Sequence, residues 1–288
     1  MTYLKKSWLL FAIITTIFWG IWGAFIEIPE KAGFPATLGY TVWALTMIPC
    51  ALVALYFINW KLEYNLRSIF LGSMVGLLGA GGQLILFQAL RDGPAYIVFP
   101  IISLFPIVTI FLSTLVLKER ASIRQWVGIS MALIAVVLLS YQQPSNEGTN
   151  SNSWLLLTVL VFLMWGVQAF VMKFSNERMK AESIFFYMMI TGIILIPLAI
   201  IMTDFTQKIN WGYQGIYLAS GIHLLNSIGA LTLVYAVRYG KSIIVVPMTG
   251  LSPLITVVIS LIIYAIVPDL ILSLGIFTAT CAIFLLSR

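Results

Sequence analysis

Trp19, Trp22, Gly23, Ile26 and Glu27 are separated by three, four, seven and eight positions, steps that return to one face of an α-helix. That face is aromatic with an acid near one end, suited to packing against a flat solute. An acid at such a place has to find water, a partner or a substrate. His223, Asn226, Ser227 and Ala230 repeat the pattern at i, i+3, i+4 and i+7, and they gather hydrogen-bonding groups rather than rings. Four prolines, Pro100, Pro106, Pro247 and Pro253, stand inside long apolar runs, where each removes a backbone hydrogen bond, exposes a carbonyl and permits a bend.

The elements that position these residues follow from composition. Of 288 residues, 61% are hydrophobic and 9% charged, against about a quarter charged in soluble domains, so the chain reads as an integral membrane protein. Its formal charge of +6 comes from Lys and Arg scattered in ones, twos and threes between apolar runs, which excludes a nucleic-acid-binding arm. Cys50 and Cys281 fall within apolar runs, far from metal-ligand spacing, and read as packing residues; no cofactor or metal is expected.

A membrane span needs roughly 17 to 25 mostly apolar residues. Ten segments qualify, near 7–28, 35–58, 68–90, 94–117, 123–141, 153–172, 182–203, 212–236, 242–266 and 269–287, predicting an all-α membrane protein of ten transmembrane helices. The first follows Lys5 and Lys6 as a signal peptide would, yet no small-residue cleavage pattern ends it, so it is expected to be retained. Sorting basic residues by side leaves Lys31, Arg91 and Lys208 on one face and all the others on the opposite face. Because short cytoplasmic loops keep Lys and Arg, both termini are expected in the cytoplasm, in a bacterial cytoplasmic membrane.

The segment 98–107, VFPIISLFPI, is nearly restated at 245–254, VVPMTGLSPL. The same offset of 146 or 147 positions pairs Trp19-Gly20 with Trp165-Gly166, Arg91 with Arg238, Gly93 with Gly240, Pro100 with Pro247, Pro106 with Pro253, Thr109 with Thr256 and Gly128 with Gly275. A fixed period held across half a chain marks a repeat. The expected units are 1–141 and 153–288, joined by an extracytoplasmic linker at 142–152. Five spans per unit is odd, so the second unit enters from the opposite side, giving two inverted five-helix repeats, an architecture in which one half rocks against the other about a midplane site.

The segment 115–140, LVLKERASIRQWVGISMALIAVVLLS, resembles the Glu-containing join between the fourth and fifth helices of the EamA family in the drug/metabolite transporter superfamily, and the paired WG dipeptides resemble its repeat openings. The resemblance extends over essentially the whole chain. It implies ten helices, cytoplasmic termini, a central cavity lined mainly by helices 1, 3, 4, 6, 8 and 9, and transport of small metabolites or drugs. One departure is visible, since Ile266 and Val267 stand where the first repeat has Glu119 and Arg120.

For the residues themselves, two readings stand side by side. Trp19, Trp22 and Trp165 either line a cavity or serve packing and the interfacial belt, and Gln168 takes the place of Trp22 in the second repeat. Glu27 either meets substrate or is solvated beside Pro29, whereas Lys173, at the equivalent position, reads as a helix-end anchor that snorkels to the interface. His223, Asn226 and Ser227, with Gln83 opposite in the first repeat, either orient a solute or hydrogen-bond to a neighbouring helix. Tyr40 and Trp43 are weaker cavity candidates that could equally face lipid. The four prolines, with Ser103 and Gly250 between them, read as gating elements or as static kinks.

Among function classes, a secondary transporter accounts for the inverted repeat, the broken helices and the sparse midplane polar groups. A passive facilitator or channel would carry a continuous polar stripe, and a membrane-embedded enzyme would need an acid or paired Cys beside its histidine. There is no Walker A pattern to power a pump. The expected partners are a small-molecule substrate, the bilayer and a proton or other coupling ion, in a monomer or homodimer. Few fixed charges among aromatics favour a neutral, zwitterionic or aromatic metabolite or a sugar over a polyanion.

Overall fold

The computed structural model describes residues 8–141, 153–265 and 267–287. The expected linker, Lys5, Lys6, Ile266 and Arg288 lie outside them. All regular secondary structure among the described residues is helical. In chain order the α-helices are α1 (Trp8–Phe25), α2 (Glu27–Lys31), α3 (Ala36–Phe57), α4 (Leu66–Asp92), α5 (Ala95–Ser103), α6 (Pro106–Leu115), α7 (Ile123–Ser140), α8 (Ser153–Asn176), α9 (Ala181–Ile194), α10 (Ile196–Ile201), α11 (Leu218–Tyr239), α12 (Ser242–Thr249), α13 (Ser252–Tyr264) and α14 (Leu270–Leu286), with a π-helical turn, Tyr213–Tyr217, leading into α11.

Taken as continuous runs across their kinks, nine of these helical stretches are long and apolar enough to cross a membrane among the described residues. The tenth expected segment is helical as α14, but its 17 residues span only about 25 Å, short of the roughly 30 Å hydrocarbon core. Polar residues at the predicted breaks become caps. Asn65 accepts from the Ser68 amide, Ser122 and Gln125 form a reciprocal capping box, and Asp269 accepts from the Leu272 amide.

Both proline-broken runs divide at equivalent places. The first parts between α5 and α6 at Leu104-Phe105, and the second between α12 and α13 at Gly250-Leu251. Pro106 and Pro253 open the second halves, where a missing N–H costs nothing, while Pro100 and Pro247 lie within the first halves. Ser103 Oγ donates to the Pro100 carbonyl at 2.7 Å, occupying an acceptor near the break. The two breaks meet, since a Cβ built on Gly250 would lie 3.7 Å from Pro106 Cγ.

Packing crosses between the repeats. Helix α1 lies mainly against α11 and α13, and α8 mainly against α4 and α6, so the opening helix of each unit packs into the other unit. Helices α7 and α14 pair with each other. A core of small and aliphatic residues, including Ala12, Val75, Ala132, Val234, Val245 and Ala279, fills the space between.

Candidate functional site

The WG dipeptides build the same contact twice. Trp19 Nε1 donates to the Asn226 carbonyl on α11 at 3.3 Å, and Trp165 Nε1 donates to the Gly79 carbonyl on α4 at 3.3 Å. Gly79 and Asn226 are equivalent positions, as are Gly82 and Gly229, on which the two indoles rest: a Cβ there would lie 2.6 Å from Trp165 Nε1 or 2.5 Å from Trp19 Cδ1. The glycine after each tryptophan lets a broken helix pass close. Thr256 Oγ1 donates to the Gly20 carbonyl at 2.9 Å, and Thr109 Oγ1 donates to the Gly166 carbonyl at 2.8 Å. Each tryptophan is thus seated on the third span of the opposite repeat, and each glycine is crossed by its fourth.

Around Trp22 the symmetry ends. Its Nε1 donates to His223 Nδ1 at 3.3 Å, with ring centroids 6.3 Å apart. Gln168, its counterpart, lies against Gly79. Ser227 is fully buried; its Oγ pairs with Thr46 Oγ1 at 2.9 Å and donates to the Trp43 carbonyl at 3.4 Å. The polar stripe of α11 therefore meets both α1 and α3. Asn226 joins it through its backbone carbonyl, and the half-buried Gln83 makes no hydrogen bond among the described residues. Trp19, Trp22, His223, Asn226 and Ser227 are brought together at one junction, while Trp165 and Gln168 belong to the junction built by the other repeat and Ser103 bonds within its own helix.

Glu27 is not brought to either. Glu27, just past the irregular turn at Ile26, is 60% exposed and paired with Lys31 four residues on. Gly23 also leaves the expected stripe, because a Cβ there would meet Thr256 Oγ1 of α13 at 2.6 Å. Tyr40 faces the protein rather than lipid, at 1% exposure, and donates to the Gly192 carbonyl at 3.1 Å.

Lys173 departs furthest from its expected role. Instead of snorkelling it is 13% exposed and donates from Nζ to the Val237 and Gly240 carbonyls at 3.1 and 2.7 Å, with Glu119 Oε1 at 3.8 Å. Glu119 in turn accepts from the Ser242 amide at 3.1 Å, the Ser242 hydroxyl at 2.8 Å and the Ile243 amide at 3.1 Å. A carboxylate on these amides satisfies the open N–H groups of α12 and complements its dipole. Ser242 Oγ also lies 2.8 Å from Ser113 Oγ of α6. The knot joins the fourth span of one repeat to the first, third and fourth of the other. Position 119 was readable from the family-like segment, but no single-sequence signal links it to residues some fifty to a hundred and twenty positions away. A concavity of about 530 Å³ lined by Ala32, Lys208, Ile209, Asn210 and Trp211 lies among loops, away from both junctions.

Opening helices exchanged between two units, paired broken helices and buried polar junctions between them define a multi-pass membrane protein of transporter type. Residues 6–141 and 152–288 both match the EamA-like transporter family, and the chain belongs to that family. Among relatives, an uncharacterised protein of Methanocaldococcus jannaschii is 28% identical over 132 residues, 46% of this chain and 95% of that protein. An uncharacterised transporter of Archaeoglobus fulgidus is 22% identical over 60% of this chain and 59% of its own length, and protein LicB of Haemophilus influenzae is 22% identical over 62% and 61%. A solved crystal structure at 14% identity superposes with a TM-score of 0.78, covering 97% of this chain and 95% of that one, a likeness of fold alone. Family and relatives point to a transporter rather than an enzyme.

Proposed function

We propose that this chain is a secondary transporter of ten membrane helices, in two inverted repeats with both termini cytoplasmic, that moves a small neutral, zwitterionic or aromatic organic solute by alternating access. The observation that carries this reading is the doubled junction, in which Trp19 and Trp165 bond equivalent carbonyls of the opposite repeat beside helices broken at equivalent places. Two equivalent junctions give two arrangements of similar energy, which rocking between halves requires. Solute binds near Trp19, Trp22, His223, Asn226 and Ser227, with Trp165, Gln168, Gln83 and Ser103 contributed by the other repeat; the breaks bounded by Pro100 and Pro106, and by Pro247 and Pro253, act as hinges.

Closure at the cytoplasmic end is the task of Glu119, Lys173 and Ser242. The sequence equivalent of Glu119 in the second repeat is Ile266, so a carboxylate closure is assigned to one end alone. Releasing Glu119 from its donors costs free energy that solute binding or a coupling ion has to offset, which gives the cycle a controlled step.

The test is uptake by proteoliposomes of purified protein, screened across amino acids, nucleobases and sugars, together with counterflow exchange. Saturable uptake that is accelerated by solute on the far side is expected. Flux that rises linearly with concentration and shows no counterflow would reassign the protein as a passive channel.

A further inference from the structure

Under the offset that relates the repeats, α12 is the counterpart of α5 and α13 that of α6, so each contact of α12 has an expected equivalent at α5. Helix α12 packs against α1, α11 and α14 and also against α6, α7 and α8, and every residue from Ser242 to Thr249 is buried. Helix α5 keeps the equivalents of the first three partners, α8, α4 and α7. It has no comparable packing against α13, α14 or α1 among the described residues. Exposure follows the same division. Val246 is 2% exposed and its counterpart Phe99 37%, while Ser113 is fully buried against Ser242 and its counterpart Ser260 is half-buried. A face that is covered in one copy and uncovered in the other lies where the two halves have come apart. Because α6 and α12 form the Glu119 end of the broken spans, the parting is at the opposite end, between α5 and α13.

The other seam between the repeats is held at both ends. Helix α3 packs along both α9 and α10. At the Glu119 end, Tyr187 Oη donates to the Glu63 carbonyl at 2.7 Å and the Glu63 amide donates to Ser183 Oγ at 3.2 Å. At the far end Asn210, the counterpart of Glu63, donates from its backbone amide to the Gly33 carbonyl at 3.0 Å and from Nδ2 to the Ala32 carbonyl at 3.1 Å. Tyr40, the counterpart of Tyr187, reaches the Gly192 carbonyl from α3. Two halves that are parted along one seam and held along the other can turn about the held one.

We propose that the structure is the state open at the end away from Glu119, that the uncovered face of α5 is the surface onto which α13 and α14 close in the opposite state, and that the Glu119 contacts bias the balance toward the state seen. The bias follows from chemistry. Three donors and Lys173 gather on Glu119 at the shut end, whereas the sequence counterpart of that carboxylate is Ile266. The proposal rests on the alternating-access reading and adds which end is open at rest and which element closes it.

Ser113 and Ser260 are counterparts at opposite ends, so a cysteine at each reports one opening. With Cys50 and Cys281 replaced by alanine, each single-cysteine full chain is treated with a water-soluble maleimide in opened membrane fragments, where the reagent reaches both ends. Ser260→Cys should react about tenfold or more faster than Ser113→Cys, because a minor state populated at about ten per cent or less exposes the shut end only briefly. Glu119→Ala removes the acceptor that holds the shut end and should move the two rates in opposite directions, Ser113→Cys faster and Ser260→Cys slower. Glu119→Gln, which keeps one carbonyl acceptor, should move them less. Mere loosening of the α6–α12 contact would raise the first rate and leave the second unchanged.

Equal rates in the parent, a faster Ser113→Cys, or Glu119 variants that raise one rate without lowering the other each overturn the proposal. Reciprocal rates without saturable uptake of any screened solute would remove the transport reading and leave the two-ended opening in place. Saturable uptake with equal rates would remove the open-state assignment and leave the transport reading standing.

Discussion

Gly20 shows how much one atom decides in this protein. A Cβ there would lie 2.3 Å from Ile255 Cβ and 2.9 Å from the Ser252 carbonyl, and at Gly166 it would lie 2.4 Å from Val108 Cβ and 2.8 Å from the Phe105 carbonyl. The obstacles are backbone and stiff β-branched side chains, which cannot swing aside. Gly20→Ala and Gly166→Ala should therefore each destabilise by about 1–3 kcal/mol, whereas Gly221→Ala, with nothing within 4 Å, should be neutral or stabilise by about 0.5–1 kcal/mol. Unfolding of purified variants in detergent ranks them, and equal losses at all three would refute the close crossing. The tryptophans divide differently. Trp19→Ala and Trp165→Ala should weaken solute binding by roughly 1–3 kcal/mol if the indoles stack on it. Trp19→Phe keeps the ring and loses the bond to Asn226, a loss of about 0.5–1.5 kcal/mol in stability. Proton coupling through His223 is harder to accommodate, because a second ring proton would turn Nδ1 from acceptor to donor against Trp22. His223→Gln proteoliposomes under an imposed pH gradient should still accumulate solute, and accumulation lost with counterflow intact would make His223 the coupling site.

At the scale of elements, the broken helices and their seals were only partly legible. Proline spacing located both breaks, because removal of an N–H is a local event that sequence states directly. The stripe of α1 was read from helical spacing alone, which does not show that Gly23 is crossed by Thr256 of α13 or that Glu27 is exposed and paired with Lys31, since both are set by neighbours and not by period. Lys173 failed for a different reason. A cation near a helix end snorkels unless carbonyls are within reach, and the carbonyls of Val237 and Gly240 are supplied by a distant span. Glu119→Ala removes the acceptor of two amides and a hydroxyl, so it should cost about 1–3 kcal/mol and loosen the contact between α6 and α12. Cysteine placed at Ser113, otherwise in contact with Ser242, should then react faster with a thiol reagent applied to the proposed cytoplasmic side. Unchanged reactivity would deny Glu119 the proposed role in closure.

For the whole molecule, the doubled phrase in the sequence announced a repeat, and the structure adds that the two units are not separate bodies. Helix α1 belongs in sequence to the first unit and packs into the second, while α8 does the reverse, so a half chain expressed alone would expose the face its partner covers. A repeat period cannot reveal such an exchange, because every internal offset is the same whether a helix packs at home or abroad. Orientation in the membrane, by contrast, is carried by charge alone. In the proposed topology the basic residues of the sequence fall on one side except for Lys31, Arg91 and Lys208, and short loops that retain Lys and Arg stay cytoplasmic. Ser122, which caps α7 beside Lys118, Arg120 and Arg124, belongs to the proposed cytoplasmic side, and Ser145 to the opposite one. Both native cysteines are first replaced by alanine, since Cys50 is buried and Cys281 half-buried. In intact cells, cysteine introduced at Ser145 should react with a membrane-impermeant maleimide and cysteine at Ser122 only after the membrane is opened. The reverse pattern would invert the topology and move the Glu119 closure to the outer end.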